Sequence, residues 1–232
     1  MRWILRRSVG LVVGLVIPAL PGLQAQQKAE NRSIALSAPE VLKLDWNTRA
    51  LSSVDLDGDG ANDLIVINND RAAIELLYQV RPGEPLPAPV RRVATNRWDP
   101  VIEDARFRKV RVTTGVTMLD LIAADLNGDK RPDLAYTGDP QALAIRYQQG
   151  DGSWVEKKIA DAPAPSSYVG SLRAADLDGD GRQDLVMLGQ KEIAIFYQEK
   201  SGELRAPDRA ALVDDGAYGL ELVDVDGDGK LD

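Results

Sequence analysis

The sequence contains no cysteine and no histidine. Without cysteine, no disulfide staples the fold and no thiol does chemistry in it. Without histidine, the commonest general base and the commonest zinc ligand are both missing. Catalysis, if any, would fall to carboxylates, Ser, Tyr or Lys. Aromatic residues are only 5% of the chain, and positive charge is in deficit: 28 Lys and Arg stand against 36 Asp and Glu, a net charge of −8. Neutralising phosphates needs a basic face, so this balance argues against nucleic acid as a partner. Helical periodicity is also lacking after residue 25.

What is present is a chain of 232 residues that is 44% hydrophobic, enough for one sizeable core or two small ones. The absence of a long low-complexity tract argues against global disorder. Residues 1–25 read as a secretory signal peptide. Arg2, Arg6 and Arg7 form its positive end, Val9 to Leu20 its apolar stretch, and Ala25 a small residue at the cleavage point. The apolar stretch is shorter than the ~20 residues that span a bilayer. The competing reading is an uncleaved anchor. A twin-arginine signal at Arg6-Arg7 fits poorly with the residues after it. Residues 26–40 read as a linker. The expectation is therefore a secreted, periplasmic or cell-surface protein with no transmembrane span once the signal is removed.

One nine-residue pattern occurs four times: DLDGDGAND from Asp55 to Asp63, DLNGDKRPD from Asp125 to Asp133, DLDGDGRQD from Asp176 to Asp184, and DVDGDGKLD from Asp224 to Asp232. A second signature keeps step with it. An apolar run ends in Tyr78-Gln79, Tyr147-Gln148 and Tyr197-Gln198, each at a nearly equal interval after the first Asp of its loop. Two motifs in register mark a true repeat.

Each repeat reads as four short strands separated by turns. In the third they are Ser171 to Asp176, Asp184 to Gly189, Glu192 to Gln198, and a weaker one near Leu204 to Leu212. In the second they are Leu119 to Asp125, Asp133 to Tyr136, Ala142 to Gln148 and Trp154 to Ala160. A four-stranded unit of this size is a β-propeller blade. A row of separate small β-modules is disfavoured, because a lone four-stranded sheet leaves both faces uncovered. The expected architecture over residues 41–232 is all-β, a β-propeller of four-stranded blades, with about three blades and the start of a fourth. The chain stops at the last Asp of the fourth loop, which reads as truncation of a longer protein. Val41 to Leu44 is expected to be a strand that closes the ring.

The first repeat carries extra residues after Tyr78. They begin Pro-rich at Arg81 to Pro89 and continue into a basic stretch of Arg91, Arg92, Arg97, Arg106, Arg108, Lys109 and Arg111. This reads either as a docking loop or, preferably, as a solvated insertion with an edge strand.

The loops point to a metal. Ca²⁺ is a hard cation that takes six to eight oxygens. Carboxylates at positions 1, 3, 5 and 9 with a main-chain carbonyl at position 7 can wrap one ion. The candidate ligands are Asp55, Asp57, Asp59, Ala61 and Asp63; Asp125, Asn127, Asp129, Arg131 and Asp133; Asp176, Asp178, Asp180, Arg182 and Asp184; and Asp224, Asp226, Asp228, Lys230 and Asp232. Gly at position 4 lets the chain turn between ligands. Clustered carboxylates repel one another without a cation. The second loop, with Asn127 and Lys130, carries one negative charge less and is expected to bind more weakly. An EF-hand is excluded, because position 12 is Val66, Tyr136 and Met187 instead of an acid, and no helices flank the loops. Strict octahedral geometry disfavours Mg²⁺.

These loops, with the strands DLIVI, DLAY and DLVM that follow them, resemble FG-GAP and VCBS-type repeats. The resemblance covers about residues 40 to 232. It implies a propeller with one calcium per blade, held by the loop between the first two strands. No Phe-Gly precedes the loops and no Gly-Ala-Pro follows them, so the likeness is to the VCBS-like variant.

Three functions remain open: a binding or adhesion module for a protein or glycan with structural calcium; a catalytic or non-catalytic part of a secreted carbohydrate-active enzyme; and a purely structural or calcium-buffering surface protein. No nucleophile elbow, phosphate loop or zinc spacing occurs. The adjacent acids Glu103 and Asp104 lie outside the loops and read as solvated surface. The chain is therefore expected not to be an enzyme. Tyr78, Tyr147 and Tyr197 suit blade-to-blade packing better than sugar stacking. Trp46, Trp98 and Trp154 are candidates for exposed aromatics, and Asn31 begins a glycosylation sequon.

Overall fold

Each Asp loop is followed by an apolar run, and in a computed structural model of the protein each run is the second strand of a four-stranded antiparallel sheet. The structure describes residues 42–81, 83–85, 106–140, 142–213, 217–227 and 229–231. The expected signal and linker, Asn31, Val41, Arg91, Arg92, Arg97, Trp98, Glu103, Asp104, Asp228 and Asp232 lie outside these residues.

The first sheet contains β1 (Thr48–Val54), β2 (Asp63–Asn68), β3 (Ala73–Gln79) and β4 (Phe107–Thr113). The second contains β5 (Thr117–Ala124), β6 (Asp133–Asp139), β7 (Leu143–Gln148) and β8 (Trp154–Lys158). The third contains β9 (Leu172–Ala175), β10 (Asp184–Leu188), β11 (Glu192–Phe196) and β12 (Asp208–Ala211). In every sheet the spatial order follows the chain order, and β5 lies against both β1 and β9. The described residues contain no helix. This is an all-β fold of three successive propeller blades that do not close a ring.

The loop-following strands are apolar throughout because both of their faces are covered. Ile65, Ile67, Ile74 and Leu76 of the first blade pack with Leu121, Leu134, Tyr136 and Ala144 of the second. The second blade turns its other face, with Leu126, Ala135, Leu143 and Ile145, to Leu172, Leu185, Met187, Ala194 and Phe196 of the third. Neighbours Leu134 and Ala135 thus serve different cores, as the two-residue strand period dictates. Burying one such Leu or Ile contributes about 1.5–3 kcal/mol.

Polar clasps reinforce the stack. Asn69 accepts from the N–H of Met118 at 2.9 Å and donates to its carbonyl at 3.0 Å. The buried carboxylate of Asp120 accepts three backbone N–H groups of the third blade, from Gly170, Ser171 and Leu172, at 2.7–3.0 Å. On β3 the buried Glu75 is held by Lys109 at 2.7 Å, Arg111 at 3.1 Å and Asn68 at 2.9 Å. Burial pushes its carboxyl up, but the hydrogen bonds from Lys109 and Arg111 outweigh this and leave it below the usual range. Arg108 lies over the ring of Tyr78. Three residues of the basic stretch thus belong to the edge strand β4 and have intramolecular partners.

Two expectations differ from the structure. Leu42 to Leu44 form no strand. The chain instead bends at Trp46 and Asn47, after Asp45, whose carbonyl accepts from the Thr48 hydroxyl and whose carboxylate accepts from Asn68. The fourth blade is expected to begin with a strand before its loop, but residues 217–224 form none. A strand needs a ladder, and the segment shows none; Leu220 N–H donates to the Gly170 carbonyl at 3.0 Å.

Candidate metal centres

The loops are organised first by their own backbone. In each, the carboxylate at position 1 accepts N–H groups from the turn beneath it. Asp55 takes those of Gly58, Asp59 and Gly60 at 2.8–3.1 Å. Asp125 takes those of Gly128, Asp129 and Lys130, and Asp176 those of Gly179, Asp180 and Gly181. Asp224 receives Gly227 and Gly229 at 2.6 and 2.9 Å. Position 6 requires a positive φ, near 85° at Gly60 and Gly181. Lys130 occupies it at 67° in the second loop, a conformation that costs a side-chain-bearing residue about 1–2 kcal/mol.

Position 9 begins the second strand and is buried. Asp63 accepts the N–H of Leu56 at 3.0 Å on one oxygen and that of Gln79 at 2.7 Å on the other. Asp133 does the same with Leu126 and Gln148, and Asp184 with Leu177 and Gln198. This carboxylate ties the start of its loop to the end of the third strand. Burial, opposed by these bonds, raises Asp63 above the usual carboxylate range and Asp133 to about 6, with the neighbouring loop acids adding to the rise.

Position 5 is engaged differently. Its carboxylate accepts the N–H of position 7: Ala61 to Asp59 at 2.7 Å, Arg131 to Asp129 at 2.9 Å and Arg182 to Asp180 at 2.9 Å. Its second oxygen meets an arginine. Asp129 is paired with Arg131 and Asp180 with Arg182, both position-7 side chains. In the first loop position 7 is alanine, and Arg81 reaches Asp59 at 2.5 Å instead. The Ala61 N–H and then Arg81 hold the Asp59 carboxyl below its ordinary value.

The remaining carboxylates converge. Ligand oxygens of Asp55, Asp57 and Asp63 lie within 4.8 Å of one another, as do those of Asp176, Asp178 and Asp184. An all-oxygen, triply anionic set of this kind fits a hard cation. In the second loop the position-3 residue is Asn127, which donates to Asp129 at 3.1 Å and accepts its N–H at 2.9 Å. In the fourth, Asp224 is placed as in its counterparts; Asp226 and Lys230 are exposed. The structure thus groups positions 1, 3 and 9 in two loops and sets position 5 apart from them.

Sequence reasoning missed the part played by the Gln that follows the repeated Tyr. Gln148 donates from its side chain to the carbonyl of Leu56 at 3.2 Å, and Gln198 to that of Asp125 at 3.0 Å. Each reaches from its own third strand into the loop of the preceding blade. Their Oε1 atoms are buried and have no hydrogen-bond partner, and that of Gln198 lies 3.5 Å from where a Cβ on Gly128 would stand. The Gln beside each repeated Tyr was the available signal. Tyr78 and Tyr147 pack into the two inter-blade cores, and Tyr197 lies beneath Arg205. Trp46 is exposed, whereas Trp154 packs in the first core.

Stacked four-stranded blades, each opened by an acidic loop, define a propeller-type repeat module. Residues 125–187 and 176–232 both match the FG-GAP-like repeat, so this stretch is built of FG-GAP-like repeats. No curated protein matches the sequence. Among solved structures, the chain is similar to one in the Tc holotoxin pore of Photorhabdus luminescens. The identity is 19% and the TM-score 0.44, over 78% of this chain and 8% of that one.

Proposed function

We propose that this protein is a calcium-stabilised propeller module of a secreted or cell-surface protein, and that it binds a protein or glycan partner without turning it over. The observation that carries the metal part is the convergence of Asp55, Asp57 and Asp63, and of Asp176, Asp178 and Asp184. Bound calcium would neutralise carboxylates that otherwise repel, and so fix each loop between its first two strands. The unpartnered Gln148 and Gln198 acceptors, buried where neighbouring blades reach the loops, support the same reading. The binding role is supported by the FG-GAP-like repeats and by the absence of catalytic motifs. No helix among the described residues is long and apolar enough to cross a membrane.

The test is thermal melting of the protein in millimolar calcium, in millimolar magnesium and in excess chelator. A ligand that binds only the folded state raises the midpoint as its concentration rises. A calcium-specific rise supports the reading, and superimposable melts in all three conditions overturn it.

A further inference from the structure

The three described arginine–aspartate pairs at position 5 come from two different places in the chain. In the second and third loops the arginine is at position 7, and its Nε also donates to the carbonyl of Gln148 at 3.3 Å or Gln198 at 2.9 Å. In the first loop position 7 is Ala61, and the arginine is Arg81, two residues beyond Gln79. The residues equivalent to Arg81 in the other repeats are Gly150 and Lys200. In each of these three loops one of the two places supplies an arginine and the other does not. Local turn chemistry does not explain this, because each loop already satisfies position 5 once through the position-7 N–H. What all three share is a guanidinium on the acid that the sequence pattern assigns to the metal.

We propose that Arg81, Arg131 and Arg182 are resident counter-cations that compete with calcium for Asp59, Asp129 and Asp180 and thereby set the affinity of each loop. The inference rests on the calcium reading above. Without metal, the guanidinium neutralises the position-5 carboxylate, which in the first and third loops lies outside the converging trio, so the metal-free loop keeps its shape. When calcium arrives, the position-5 oxygen must be shared or released, and the fixed positive charge opposes the incoming ion at close range. Arg81, Arg131 and Arg182 are each roughly a third to a half exposed, at 48, 42 and 31%, so each can swing into solvent when displaced. The arrangement yields lower affinity with a stable empty state, in contrast to a loop that collapses without its ion.

The test is calorimetric titration of calcium chloride into metal-stripped full-length chain, comparing the wild type with Arg131→Ala/Arg182→Ala. The expected result is binding about three- to tenfold tighter in the variant, with a lower melting temperature in chelator. Arg81→Ala is a second variant that leaves residues 55–63 intact, for use if the double variant does not fold. Arg81→Ala combined with Ala61→Arg moves the guanidinium to the position the other loops use and should restore wild-type affinity. Unchanged or weaker binding in the alanine variants, with the wild type binding normally, overturns the counter-cation role alone. Absence of any calcium heat in the wild type overturns the calcium reading and this inference together.

Discussion

Gln198 donates from its side-chain amide to the Asp125 carbonyl at 3.0 Å while its own N–H donates to Asp184 at 2.8 Å. One residue therefore links the Asp loop of the second blade to that of the third. Gln148 joins the first two blades in the same way. Gln198→Leu should cost about 1–2 kcal/mol in chemical denaturation, the worth of a buried hydrogen bond lost with its acceptor. Gln79→Leu, at the exposed equivalent position of the first blade, should cost under about 0.5 kcal/mol.

Position 9 separates acids that clasp the fold from those proposed to hold the metal. Asp184→Asn removes one of two acceptors that Leu177 and Gln198 need. It should destabilise the protein by about 1–3 kcal/mol even in chelator. Asp178→Asn, at the exposed position 3, should leave the chelator melt nearly unchanged and shrink the calcium-induced shift. Equal effects of the two substitutions in chelator would count against the clasp.

Glu75 governs part of the acid response. Its folded pKa lies below the ordinary value of 4.5, so its stabilisation is fully present above that pH and is lost as pH falls through the lowered value. Glu75→Gln should cost about 1–3 kcal/mol at neutral pH, because Lys109 and Arg111 lose their buried partner. It should also flatten stability against pH on the acid side, read from denaturation midpoints between pH 3 and 7. An unchanged slope would contradict this.

Gly202 sits where the turn after β11 meets the second loop. A Cβ there would stand 2.5 Å from the Asn127 carbonyl, and its φ is 84°. Gly202→Ala should therefore lower stability by at least about 2 kcal/mol through both strain and clash. Gly152→Ala is the matched control. It has a similar φ of 79° but open space around it, so only the strain should appear in its thermal melt.

The loops, and β2, β6 and β10 after them, were legible because a fixed acidic pattern runs straight into an apolar run. β12 was not well bounded. Its residues Asp208–Ala211 are all exposed, so no burial pattern marks their ends, and the expected Leu204 to Leu212 was too long. The double duty of Asp63, Asp133 and Asp184 was also illegible, since a carboxylate that binds metal and one that accepts two N–H groups read alike in sequence. Arg81 escaped notice because it lies outside the nine-residue pattern that it completes. The Gln clasp was visible as a repeated letter, but its partners are backbone carbonyls, which carry no letter.

The pairing that follows each repeated Gln is uniform at its start. Gln79 is opposite Phe107, Gln148 opposite Trp154, and Gln198 opposite Leu204. Between these anchors the chain spends residues 149–153 in the second repeat, 199–203 in the third and 80–106 in the first. The first hairpin thus spans a much longer stretch of chain and still closes in the same register. Loop-closure entropy grows only slowly with length, so the closing pair Gln79–Phe107 holds across a connection far longer than those of its counterparts.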